Sequence, residues 1–137
     1  MTNRLVGALL LSLGLASGCA EPPYTNIDND GVRALQTQGV PMYDIRRPDE
    51  WRQTGIVAGS RLLTFVDQNG KPMPDFFTRL TQEVNKEAPV ILICRTGNRS
   101  DIVARHMMEK MGYLKVYNVR RGIMGWMDKG LPVVAPQ

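Results

Sequence analysis

Apolar residues are distributed along this chain in two alternating patterns. "VILIC" at 90–94 is an unbroken apolar run, as in a strand buried on both faces of a parallel sheet. Shorter runs at 40–45 ("VPMYDI"), 61–66 ("RLLTFV") and 115–119 ("KVYNV") are further strand candidates. Between them, apolar residues recur at helical spacing. Val32 and Leu35 lie in a helix expected over 30–38 and closed by Gly39. Phe76, Phe77, Leu80 and Val84 lie in one over 74–86. Val103, Met107 and Met111 form an i, i+4, i+8 stripe on a helix that Ser100 and Asp101 are expected to open. Pro48 and Gly55 bound a short helix over 48–54, and another is expected over 124–129. "QNGKPMP" at 68–74 reads as a loop. Strands alternating with helices predict an α/β fold, a central parallel sheet with helices on both faces. In such sheets ligands bind beyond the carboxyl ends of the strands. Cys94, the last residue of the most apolar run, falls there.

The residues after Cys94 give that position chemistry. The loop "CRTGNRSD" passes through Gly97, free to adopt backbone angles other residues avoid, into a helix N-terminus. Amides in such a turn converge on an anion, and the helix dipole reinforces them. Arg95 and Arg99 add cationic donors. Each feature favours a thiolate, the nucleophilic form of cysteine. The bland alternative is an inert buried cysteine beside a surface turn, which would need neither the arginines nor the glycine.

Size and charge narrow the classes. The 137 residues suit one domain, and 43% hydrophobic content suits a packed core. The formal charge of +4 comes from scattered basic residues such as Arg33, Arg52, Arg61, Arg79 and Arg105, with no interleaved aromatics, so no nucleic-acid partner is expected. With Cys19 outside the fold, the domain holds a single thiol and no internal disulfide. The lone histidine, His106, has no ligand cluster around it, and a helix-surface position is expected for it. Asp44 and Arg46 read as a structural pair beneath the loop. Met107, Met108 and Met111 read as core, and Trp126 as packing under the last turn. Arg120 and Arg121 read as a solvated pair or as part of a pocket mouth.

"CRTGNRS" resembles the active-site loop of the rhodanese family, the single-domain sulfurtransferases, with their C-R-x-G-x-R form. "YDIRRPDEW" is similar to the family's early strand and D-x-R-x-x-x-E/W segment. "GIVAGS" resembles its G-H-I-x-G-A/S turn, with Ile56 in place of the usual histidine and Ala58 in place of the common proline. "RGIMGWMDKGLPV" is similar to its closing pattern. The resemblance spans 27–134 and implies a rhodanese-like fold, with Cys94 as catalytic nucleophile and persulfide carrier. It further implies that Arg95, Thr96, Gly97, Asn98 and Arg99 bind substrate, their amides cradling the outer sulfur and the arginines holding the anionic donor. Thiosulfate or a persulfide would supply sulfur, and a thiol or cyanide would accept it, with no organic cofactor and no metal. The partners so implied are small sulfur-containing anions and thiol acceptors, and a monomer is expected. The alternative is a non-catalytic binding or persulfide-carrier module. Related cysteine phosphatases place five residues between cysteine and arginine to cradle a tetrahedral oxyanion, whereas Cys94 and Arg99 are separated by four.

The opening "MTNRLVGALLLSLGLASGC" has a different character. Arg4 is followed by an apolar or small stretch over 5–15, too short to span a bilayer comfortably. Ala16, Ser17 and Gly18 then lead into Cys19. This resembles a bacterial lipoprotein signal, which implies cleavage after residue 18 and lipidation of Cys19. A tether would then run over 19–26 ahead of the domain at 27–134. Ala20, where an inner-membrane lipoprotein commonly has aspartate, implies an outer-membrane lipoprotein facing the periplasm. The alternative is an ordinary cleaved signal and a soluble periplasmic domain.

Overall fold

The computed structural model describes residue 18 and residues 20–137. The signal segment and Cys19 lie outside the described residues. Five parallel strands form one sheet in the order β1-β5-β4-β2-β3. They are β1 (Thr25–Ile27), β2 (Met42–Asp44), β3 (Arg61–Leu62), β4 (Val90–Ile93) and β5 (Val116–Val119), alternating with α1 (Asn29–Thr37), α2 (Pro48–Thr54), α3 (Phe76–Glu83), α4 (Asn98–Lys110) and α5 (Gly122–Asp128). Among the described residues, no helix is long and apolar enough to cross a membrane.

The period-two alternation of β4 explains why its whole run is apolar. Val90, Leu92 and Cys94 face one cluster with α3 and α4, built on Phe76, Leu80, Val103 and Met107. Ile91 and Ile93 face another with α1 and α5, built on Val32, Ile123 and Trp126. Helices therefore cover both faces. The chain leaves β2 toward β3 and leaves β4 toward β5, in opposite directions, so the adjacent carboxyl ends of β2 and β4 form the topological switch point. Cys94 follows β4 at that point.

Several boundaries differ from expectation. β1 was expected to be tether. Thr25 and Asn26 are polar and exposed, because an edge strand buries little, and Tyr24 ahead of it is buried with its hydroxyl on the Asp101 carboxylate. The packed domain thus starts upstream of residue 27. The strand expected over 61–66 ends at Leu62. Leu63 and Phe65 still donate to the Asp44 and Ile45 carbonyls at 3.1 and 3.0 Å, but Val66 turns away into an antiparallel bridge with Pro72. α4 starts at Asn98, two residues early, because Gly97 at φ +95 turns the chain into the helix without a side-chain cap.

Asp44 and Arg46 are the core's buried ion pair, at 0 and 1% exposure. Arg46 Nη2 and Nε lie 2.7 and 2.9 Å from the Asp44 carboxylate. The remaining guanidinium donors reach Thr54 Oγ1 at 2.8 Å and the Gly55 carbonyl at 3.0 Å. The pair holds the end of α2 against β2 and leaves the other end free to face the Cys94 loop. Removing one partner strands the other charge without water. Arg46→Met is expected to lower the unfolding free energy by about 3–5 kcal/mol in urea titrations at neutral pH. A change below ~1 kcal/mol would show that the pair contributes little.

Candidate functional site

Cys94 is free and 1% exposed, its sulfur at the floor of the loop that joins β4 to α4. Two donors point at it: the Gly97 N–H at 3.1 Å and the Ser100 hydroxyl at 3.2 Å. A hydrogen bond to a charged group contributes roughly 1.5–3 kcal/mol. A helix dipole contributes about 0.3–1 kcal/mol at an exposed site. The two direct donors therefore outrank the dipole of α4 in holding negative charge on this sulfur. Arg95, Thr96 and Asn98 are exposed around the rim.

Two glycines let the loop take this shape. A Cβ on Gly97 would run into the Arg120 carbonyl, and one on Gly122 into the carbonyls of Cys94 and Arg95. Gly97 has φ +95 and Gly122 φ +57. With both side chains absent, the first turn of α5 donates to the back of the loop, Ile123 N–H to Cys94 O at 2.9 Å and Met124 N–H to Arg95 O at 3.1 Å. The Cys94 and Arg95 carbonyls are thereby taken up by α5, while the Gly97 N–H faces the sulfur.

Arg99 departs from its expected role. Its guanidinium makes two hydrogen bonds to the Glu50 carboxylate, at 2.6 and 2.8 Å, so its charge is partnered within the fold. Glu50 at the start of α2 also accepts the Arg47 amide at 3.0 Å. These Glu50 hydrogen bonds raise the affinity of Arg99 for its proton, against the opposing effect of burial. Burial alone would push the Glu50 carboxyl up, but Arg99 and the Arg47 amide outweigh it and hold the carboxyl below its usual range. Glu50 is visible in the "RRPDEW" segment, but sequence spacing cannot show which cation it takes. Ser100 was expected as a helix cap. Its hydroxyl instead turns inward to the sulfur, as its place one residue past Arg99 on the first turn of α4 allows.

The other candidates lie away from the sulfur. His106 is exposed on α4 and packs against the Phe77 ring, with centroids 4.7 Å apart. Met107 is buried, with Met108 and Met111 packed beside it. Trp126 Nε1 donates to the Pro132 carbonyl at 2.9 Å beneath the last turn. Arg120 and Arg121 line a groove of about 530 Å3 with Ile27, Asn29 and Lys129, and Cys94 does not contribute to it.

A parallel α/β sheet with a free cysteine at its switch point, seated under converging donors, places a thiol where sheets of this kind bind their ligands. A family model for the rhodanese-like domain matches residues 29–129. A sulfurtransferase of Allochromatium vinosum is 34% identical over 113 residues, covering 81% of this chain and 95% of that protein. The thiosulfate sulfurtransferase GlpE of Tolumonas auensis is 32% identical over 104 residues, covering 75 and 88%. The polysulfide-sulfur transferase homodimer of Wolinella succinogenes shares the fold at a TM-score of 0.65 with 20% identity, covering 84% of this chain and 81% of that one. The chain belongs to the rhodanese-like family.

The tie between Glu50 and Arg99 has a defined pH signature. A carboxyl whose folded value lies below its unfolded value of about 4.3 stabilises the fold above that pH and stops doing so as pH falls through the folded value. The difference in unfolding free energy between wild type and Glu50→Gln is therefore expected to be constant near neutrality and to shrink below about pH 4. A difference that stays flat or grows on acidification would rule out this account.

Proposed function

We propose that this protein is a sulfurtransferase that carries sulfane sulfur on Cys94, taking it from thiosulfate or a persulfide and passing it to a thiol or cyanide. Membership of the rhodanese-like family and the sulfurtransferase relatives support transfer of sulfur in general. The observation that carries the finer reading is the single buried sulfur with the Gly97 amide and Ser100 hydroxyl directed at it. At 1% exposure Cys94 lies too deep for a bulky donor, which favours a small sulfur-bearing anion.

In this mechanism the Cys94 thiolate attacks the outer sulfur of thiosulfate. The sulfur–sulfur bond of the donor breaks and its electron pair leaves with sulfite. The resulting persulfide keeps one negative charge on its outer atom, for which the amides of the loop are the proposed donors. An acceptor nucleophile then attacks that atom, and the pair of the breaking bond returns to Cys94 Sγ. A phosphatase reading fares worse. Arg99, the cation that would bind a tetrahedral oxyanion, is held by Glu50, and the loop is one residue short.

Thiosulfate treatment of the purified protein is expected to add the mass of one sulfur atom at Cys94, and cyanide to remove it as thiocyanate. Cys94→Ser and Cys94→Ala should abolish both steps. Full thiocyanate production by either variant would sink the proposal, and a modification-free Cys94 in the wild type would favour a binding module.

We further propose that Cys19 is lipidated and holds the domain at the outer membrane, facing the periplasm. The support is the residue pattern of the first nineteen positions and the few residues that separate Cys19 from the buried Tyr24. Several acyl chains on one cysteine give stable anchoring where a single chain gives only marginal binding. Palmitate labelling and membrane fractionation are expected for the wild type and lost in Cys19→Ser. An unlabelled protein found wholly in the soluble periplasm would remove the anchor and leave the enzyme proposal standing.

A further inference from the structure

Ser100 has one hydroxyl proton and two acceptors within reach. Its Oγ lies 3.2 Å from Cys94 Sγ and 3.3 Å from the Gly97 carbonyl oxygen. The side chain is fully buried, so solvent does not complete its hydrogen bonding. The Gly97 carbonyl does not depend on this proton, because it also accepts from the Asp101 amide at 3.0 Å and from Asn118 Nδ2 at 3.4 Å. The sulfur has fewer donors. Only the Gly97 amide and Ser100 are directed at it among the described residues. The proton is thus redundant at the carbonyl and useful at the sulfur whenever the sulfur is charged.

Charge on Sγ alternates through the sulfur-transfer cycle on which this inference rests. In loading, the Sγ electron pair forms the new bond to the outer sulfur and the charge leaves Sγ. Cys94 is oxidised to the persulfide while the donor is reduced to sulfite. In discharge by cyanide, carbon bonds to the outer sulfur, the Sγ–S bond breaks, and its pair and charge return to Sγ. Cyanide is oxidised to thiocyanate and Cys94 is restored, with no proton or outside oxidant consumed. Donors directed at Sγ stabilise the start of loading and the end of discharge. They therefore make Sγ a somewhat poorer nucleophile and a much better leaving group. We infer that Ser100 is a catalytic residue of the discharge step. Its hydroxyl holds the departing Cys94 thiolate, and it turns to the Gly97 carbonyl while Sγ is bonded to the transferred sulfur.

The two half-reactions separate this role from a structural one. Rapid-quench mass spectrometry of purified wild type, Ser100→Ala and Ser100→Thr would give the rate constant for persulfide formation from thiosulfate and that for its removal by cyanide. Measured at a pH where loading no longer rises with pH, Ser100→Ala is expected to load at the wild-type rate or faster and to discharge about tenfold more slowly. Ser100→Thr keeps a hydroxyl and should restore the wild-type ratio of the two constants. Because each constant is read on molecules that react, a partly unfolded preparation lowers amplitudes and leaves the ratio intact. Equal slowing of both steps in Ser100→Ala, or an unchanged discharge, would overturn the assignment while sulfur transfer by the wild type stood. Failure of the wild type to load at all would bring down the sulfur-transfer reading itself.

Discussion

The site depends on one close approach, that of the Cys94 loop to the corner between β5 and α5. Gly97 lies against the Arg120 carbonyl and Gly122 against the carbonyls of Cys94 and Arg95, at separations that leave no room for a Cβ. Once the two backbones meet, the α5 amides of Ile123 and Met124 take the Cys94 and Arg95 carbonyls. Those bonds orient the peptide planes of the loop, and the orientation carries the Gly97 N–H to the sulfur. The donors at the sulfur, the entry into α4 and the docking of α5 are therefore consequences of one backbone contact. An added methyl group at either glycine disturbs all three together.

A second chain of contacts holds the opposite side of the loop. Arg46, buried against Asp44, fixes the end of α2 through Thr54 and Gly55. The start of α2 then presents Glu50 to Arg99 on α4, across the switch point between β2 and β4. The arginine–carboxylate bonds neutralise both charges within the fold. In direct contact with the sulfur are short-range, directional donors, a backbone amide and a hydroxyl, with the dipole of α4 behind them and Arg95 exposed at the rim. Such donors act on an atom at one fixed place, whereas a guanidinium at the rim attracts any anion that arrives there. That arrangement suits the proposed transfer, in which charge on a single sulfur is held and released in turn.

Sequence periodicity resolved the elements that bury apolar residues and missed those that do not. β4 was legible because both of its faces are covered, and α3 and α4 because each lays an apolar stripe on the same side of the sheet. β1 was illegible because an edge strand three residues long has only Ile27 packed inward, and its pairing with β5 is a backbone matter. Cys94 and Gly97 could be picked out because residue type alone restricts what they do. The roles of Arg99 and Ser100 could not, because each depends on which side of the first turn of α4 faces the loop. The same charge on Arg99 reads as a substrate ligand until Glu50, 49 residues earlier, is placed beside it.

Ile56, where the family turn usually carries histidine, shows how a departure near a site can leave the site intact. It is buried, and its amide and carbonyl form a reciprocal bridge with Val134 at 2.9 and 2.8 Å. Beside it, a Cβ on Gly55 would crowd the Val134 carbonyl, so the turn and the chain's last segment pack backbone to backbone. Trp126 closes the same region through the Pro132 carbonyl. An apolar side chain suits this position because the returning segment covers it and offers no polar partner to an imidazole in the bonds that form there. The turn meets the support of the Cys94 loop through Gly55, whose carbonyl accepts from Arg46. That bond is made by the backbone of the preceding residue and is indifferent to the side chain at position 56. The side chain at position 56 is thus seated against residues 133–134, while the support of α2, and through Glu50 that of the Cys94 loop, runs through the Gly55 backbone and Arg46.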